Sequence, residues 1–202
     1  MSQLALINPP SPRYIINMVR GIFGILFLSG FLLAGSLAHA RQDDPKLDEL
    51  FSRLAETQNS AEAKSIEQRI WQIWLTSGSD TIDFLMLQGV SYMGRGELAK
   101  ALTLFTTVVK VDPGYSEGWN KRATVLFLIG EYDSSIEDIA KVLELEPRHF
   151  GALSGLGQIF ELREREAGAL SAYEKAVTLN PHLEGVKIRL DRLILERDKK
   201  RI

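Results

Sequence analysis

The chain has 202 residues, a formal net charge of −2 and no cysteine. Without a thiol there is no disulfide, no cysteine nucleophile, no cysteine metal site and no lipidated cysteine. The mild acidity speaks against nucleic acid as a partner, which calls for a basic patch or stripe.

Gly21 to Ala38 carries no charge and is dominated by Phe, Leu, Ile, Gly and Ala, with Arg13 and Arg20 ahead of it. Ala38-His39-Ala40 follows, the small–x–small site that ends a secretory signal peptide. Residues 1–40 therefore predict a signal peptide cleaved after Ala40. The apolar run also lies at the edge of spanning length, so an uncleaved membrane anchor is the alternative. Either way, the positive residues before the run and Asp43-Asp44 after it send the C-terminal side away from the cytoplasm. Membrane contact is expected only through this leader, if it is retained.

Residues 41–81 predict a degenerate helical hairpin. Leu47, Leu50, Phe51 and Leu54 mark its first helix, and Asn59-Ser60 breaks it, with Ser60 able to cap the second. Ile66, Ile70, Ile73 and Trp74 form one stripe of that second helix, with Trp71 beside it. The hairpin reads as an N-terminal cap, its tryptophans packing against the unit that follows.

Three units come next, Ile82–Tyr115, Ser116–His149 and Phe150–Leu183. Pro113, Pro147 and Pro181 lie 34 residues apart, and Gly89, Ala123 and Gly157 keep the same interval. So do Ala101, Ser135 and Ala169, and so do Phe105, Ile139 and Tyr173. Self-similarity at a fixed period of this size marks a stack of units, none of which can bury its apolar face alone. Each unit reads as two helices. The small residues allow close helix approach, and the bulky set is expected to fill the space toward the next unit. Residues 184–202 read as a last helix that caps the open end, with Val186, Leu190, Leu193 and Ile194 as its stripe.

On these residues the chain resembles the tetratricopeptide repeat. The middle unit carries Trp119, Ala123, Leu126, Ser135, Ile139 and Pro147, and the third carries Leu156, Gly157, Phe160, Ala169, Tyr173, Ala176 and Pro181. The resemblance implies an all-α fold, a right-handed superhelical solenoid of antiparallel helix pairs. Three departures stand out: Gln88 and Arg122 replace a usual leucine, and Glu164 stands where Gly96 and Gly130 end the other first helices. That third turn is expected to be tighter or differently capped.

No catalytic or metal-ligating constellation is present in the sequence, and no cofactor is expected. His149 and His182 fall in neighbouring turns without carboxylates or histidines at metal-ligand spacing, and read as surface or packing residues. The remaining functional surface is the one the resemblance implies, a concave groove lined by the first helix of each repeat. The implied partner-binding residues are Met86, Val90 and Met93 from the first repeat. They are Asn120, Thr124 and Phe127 from the second, and Ser154, Gln158 and Glu161 from the third. Some relatives hold a chaperone's C-terminal carboxylate through Lys, Asn and Arg in this groove. Here those positions are Met86, Val90, Lys121, Gly151 and Gly155, so no such clamp is expected.

Leu50–Ser77, with its Ile70-Trp71-Gln72-Ile73-Trp74 run, and Arg148–Leu153 also resemble short exported tetratricopeptide-repeat proteins of Gram-negative bacteria. That resemblance implies a non-catalytic adaptor of the periplasm or cell envelope that binds a peptide or protein. The alternative is an accessory subunit of an inner-membrane complex, held by an uncleaved anchor and facing the periplasm.

Overall fold

The computed structural model describes residues 44–200. The predicted leader and its cleavage site lie outside these residues. Among the described residues there are nine α-helices and no strand. The first pair is α1 (Lys46–Glu56) and α2 (Ser60–Leu75). Three further pairs follow, α3 (Asp80–Gly94) with α4 (Leu98–Val111), α5 (Ser116–Leu128) with α6 (Tyr132–Leu145), and α7 (Phe150–Leu162) with α8 (Glu166–Leu179). A single helix, α9 (Glu184–Lys199), closes the order. None of these helices is long and apolar enough to cross a membrane.

Local chemistry sets the ends. Asn59, not Ser60, caps α2, its side-chain oxygen accepting from the amides of Ala61 and Glu62 at 2.9 and 3.1 Å. Its longer reach spans both amides, and Ser60 becomes the first helical residue. Gly96 and Gly130 leave α3 and α5 in the left-handed region, with φ of 76° and 86°. Glu164 adopts the same conformation after α7, at φ 56°. The third turn is thus not tighter; it keeps the geometry of the other two with a side chain that resists it.

The turns between pairs share a device that proline spacing alone does not show. The residue before each proline accepts an amide two residues on: Asp112 from Gly114 at 3.1 Å, Glu146 from Arg148 at 3.0 Å, Asn180 from His182 at 3.0 Å. These side chains mimic a backbone turn and fix the angle between successive pairs.

Within a repeat the small and bulky positions meet each other. A Cβ at Gly89 would lie 2.5 Å from the Phe105 ring, and one at Gly157 2.3 Å from the Tyr173 ring. The bulky residues therefore cover the small residue of their own pair and also fill the space toward the next unit, Phe105 beside Val125 and Ile139 beside Ala152 and Ile159. In the middle repeat Ser135 takes the small position, its hydroxyl donating to the Ala123 carbonyl at 2.8 Å. Arg122, where an apolar residue is usual, donates twice to the buried Asp138 of α6, at 2.7 and 2.6 Å. A bidentate ion pair stands in for packing there.

The N-terminal hairpin departs most from expectation. Its core of Leu47, Leu50, Phe51, Leu54, Ile66, Ile70 and Trp74 is completed by Phe150, with Leu179 and Leu183 packed alongside. Trp71 and Trp74 thus pack where the second repeat meets the third, on His149 and Phe150, and not on the first repeat. The reason is aromatic and polar complementarity. Trp74 stacks on His149 with centroids 4.2 Å apart, and Trp71 meets Phe150 edge-on at 5.6 Å. Arg148 donates to Asp48 at 2.6 Å, and Asn180 to Glu67 at 3.3 Å. At the other end α9 lays Val186, Leu190, Leu193 and Ile194 over Phe160, Leu170 and Tyr173.

Candidate interaction groove

The first helices α3, α5 and α7 carry the positions that the sequence assigns to a groove. Their side chains do not all remain available. Met86 is 4 % exposed and belongs to the core of the first repeat with Ile82, Ala101 and Phe105. It is therefore no contact residue, because an apolar side chain facing α4 is captured by the repeat's own packing. Val90 is open to solvent, and Met93 packs in part against the same core.

In the third repeat Glu161 accepts from the Tyr173 hydroxyl at 2.9 Å and pairs with Arg189 and Arg192 of α9. Burial raises this carboxyl, but the Tyr173 hydrogen bond and the two guanidiniums outweigh it and hold it below the usual glutamate range. Glu161 is thus committed to the terminal helix, another correction to the implied groove. Ser154 turns its hydroxyl back onto the Phe150 carbonyl at 2.7 Å.

The remaining four predicted residues, Asn120, Thr124, Phe127 and Gln158, converge. With Leu128 and Gly155 among others they line a cleft of about 280 Å³ between α5 and α7. Small residues make this room. A Cβ at Gly155 would find only the Ile139 methyl, at 3.9 Å. Thr124 donates to the Asn120 carbonyl at 2.9 Å, which leaves its methyl group free to face outward. Every residue lining the cleft is uncharged.

At one end of the cleft lies a buried polar set that the sequence pattern did not announce. Glu117 and His149 are wholly buried, with His149 Nε2 3.0 Å from Glu117 Oε2. Asn120 donates its amide to the same Oε2 at 2.8 Å, and the Lys121 ammonium sits 2.8 Å from Oε1. Trp71 covers the set from above, its ring 5.7 Å from Lys121 Nζ. A Cβ at Gly151 would lie 2.8 Å from Trp71, so only glycine admits the indole here. Lys121, the one cation at the clamp positions, is therefore already neutralised by Glu117. Among the described residues no cluster of three or more His, Asp or Glu could hold a metal ion.

A tetratricopeptide repeat family model matches residues 86–144 and 121–184. A TPR repeat-containing protein of Rhizobium etli is 40 % identical over 107 residues, which is 53 % of this chain and 52 % of that protein. The chain thus spans about half the length of that curated relative. Two solved structures share the fold at low identity. The first TPR of Spaghetti (RPAP3) bound to HSP90 peptide SRMEEVD superposes with a TM-score of 0.56 at 19 % identity. It covers 58 % of this chain and 93 % of its own. The TPR2B domain of yeast Sti1, in its complex with pHsp70, gives 0.53 at 20 % identity, over 60 % and 99 %. The 34-residue period, the paired helices and the family match agree: residues 86–184 are tetratricopeptide repeats.

Proposed function

We propose that the chain is a non-catalytic adaptor that receives an uncharged peptide segment of a partner protein in the cleft between α5 and α7. The observation that carries this reading is the lining of the cleft, apolar at Phe127 and Leu128, amide-bearing at Asn120 and Gln158, and free of charge throughout. An apolar side chain of the partner fills the space over Gly155, and the Gln158 amide pairs with its backbone; Asn120, buried and donating to Glu117, closes the end of the cleft. One solved neighbour holds an HSP90 peptide and the other is in complex with pHsp70, which supports peptide capture as the use of the fold. The ligand class differs here: Lys121 is occupied by Glu117, so an acidic C-terminal tail finds no free cation among the residues that line the cleft.

We further propose an exported protein of the bacterial periplasm or cell envelope. The support is the uncharged run Gly21–Ala38 with the Ala38-His39-Ala40 site. The length of that run favours a second form, in which the segment is retained and the adaptor serves an inner-membrane complex. N-terminal sequencing of the mature chain from its host separates the two.

A peptide-display selection on the full chain tests the groove. Gly155→Leu fills the cleft without a Cβ clash and should abolish enrichment while helical content is unchanged. Glu137→Ala with Lys141→Ala, both on exposed positions of α6, should leave enrichment intact. Enrichment of acidic C-terminal sequences, or indifference to Gly155→Leu, would rule this reading out.

A further inference from the structure

In the internal repeats, one face of the first helix packs on the helix pair before it. In α5 that face carries Gly118, where a Cβ would lie 2.7 Å from Val108, and the buried Val125. In α7 it carries Ala152 and Ile159, both buried with Ile139 and Val142. The matching residues of α3 are Phe84 and Ser91, by the 34-residue period. Because α1 and α2 pack where the second and third repeats meet, no other described helix covers this face. Phe84 is 59 % exposed and Leu87 66 %.

The bare stripe runs Thr81, Phe84, Leu87, Gln88, Ser91, Gly94, all on one side of α3 at spacings of three and four, the period of a helix–helix seam. No charge interrupts it. The exposed Ile188 and Leu195 of α9, by contrast, have Asp191 and Arg192 between them on the same side. The stripe is also self-complementary. If a second α3 lies antiparallel about a two-fold axis beside Leu87, Phe84 opposes Ser91 and Thr81 opposes Gly94. Large thus meets small, and a Cβ at Gly94 would meet nothing within 4 Å. The same register sets Asp80, at one end of α3, against Arg95, the residue that ends it. Antiparallel helix dipoles favour the same arrangement.

We propose that two copies of this chain pair through α3, antiparallel about a two-fold axis between Leu87 and Gln88. The face continues the surface by which repeats already stack, and a two-fold pairing closes without leaving it open to further growth. A single helix pair buries less than the roughly 1,200 Å² of a standard interface, so the pair is weak and concentration-dependent. The pairing does not depend on the cleft between α5 and α7, and its test does not involve a peptide.

The chain has no cysteine, so Leu87→Cys introduces its sole thiol. Mild oxidation of the full chain should give a covalent dimer for Leu87→Cys and none for Ile188→Cys or Leu162→Cys. A mixture of Phe84→Cys and Ser91→Cys chains should yield the mixed pair in preference to either self-pair. Leu87→Glu should weaken self-association by about tenfold or more in sedimentation equilibrium, with unchanged helical content. Self-pairing of Phe84→Cys in preference to the mixed pair would overturn the antiparallel register. Equal cross-linking at Ile188, or sedimentation unaffected by Leu87→Glu, would overturn the interface. Capture of a different protein on this face in place of the second copy would overturn the occupant.

Discussion

His149 holds Glu117 across 3.0 Å in a place where neither side chain meets solvent. The other ring nitrogen, Nδ1, accepts the Ala152 amide at 3.1 Å, so the proton sits on Nε2 and is donated to the carboxylate. One histidine thus caps α7 and satisfies a buried charge at once. Burial pushes the Glu117 carboxyl up, but the His149 hydrogen bond and the Lys121 ammonium outweigh it, leaving it below the ordinary value of 4.5. With the folded value lower than the unfolded one, the stability Glu117 contributes is complete above pH 4.5. It is lost as the pH falls through the folded value. Urea midpoints followed from neutral pH into the carboxylate range should show this loss. Glu117→Gln should be less stable at neutral pH by about 3 kcal/mol and lack that part of the acid dependence.

Trp74 is the anchor of the N-terminal hairpin, stacked on His149 and packed against Phe51 with centroids 6.0 Å apart. Trp74→Ala should cost about 3–5 kcal/mol. It should also free α1 and α2 before the repeats melt, which limited proteolysis at the Ser77–Ser79 turn would register. Simultaneous loss of all helices, with no early cut, would show that the hairpin is not separable.

Gly157 lies under the Tyr173 ring with no room for a methyl group. Gly157→Ala should destabilise by about 1–3 kcal/mol through overpacking. Adding Tyr173→Leu should recover part of that loss, because the ring is what the new methyl meets. A double-mutant cycle in thermal melts reads the coupling directly; purely additive losses would place the damage elsewhere.

Glu164 holds a left-handed backbone, φ 56°, that glycine adopts at the two equivalent turns. Glu164→Gly should therefore stabilise the chain by about 1 kcal/mol, seen as a rise in the denaturant midpoint at unchanged slope. Gly130→Glu should do the reverse.

The repeats were legible because proline, small and bulky residues each return at one interval, and that interval dictates paired helices. The left-handed turn at Glu164 was legible as a departure from Gly96 and Gly130, though its geometry was not. The placement of the hairpin was hidden for a physical reason. A stripe such as Ile66, Ile70 and Trp74 records that a face must be buried, and carries no record of which surface buries it. The same holds for the groove. Position along α3 or α7 implied exposure for Met86 and Glu161, whereas neighbouring α4 and α9 had already claimed them. Glu117 and His149 were visible only as a charge near a helix start and a residue in a turn. Their 32-residue separation, close to one repeat, is the signal that stacked units would bring them together.

The hydrogen bonds from Arg148 to Asp48 and from Asn180 to Glu67 cross 100 and 113 residues of sequence. A stack whose units touch only their neighbours can fray from an end and fold piecemeal. Here the first described helices grip the end of the second repeat and the third, and the chain between them is enclosed in a loop. The third repeat cannot peel away without releasing the hairpin, so melting is pushed toward a single all-or-none step. Refolding must also wait for a long-range closure, which slows it relative to an open array of the same size. The same grip sets how many repeats fit between the hairpin and the surface it packs on: one more inserted there would carry His149 and Phe150 out of the tryptophans' reach.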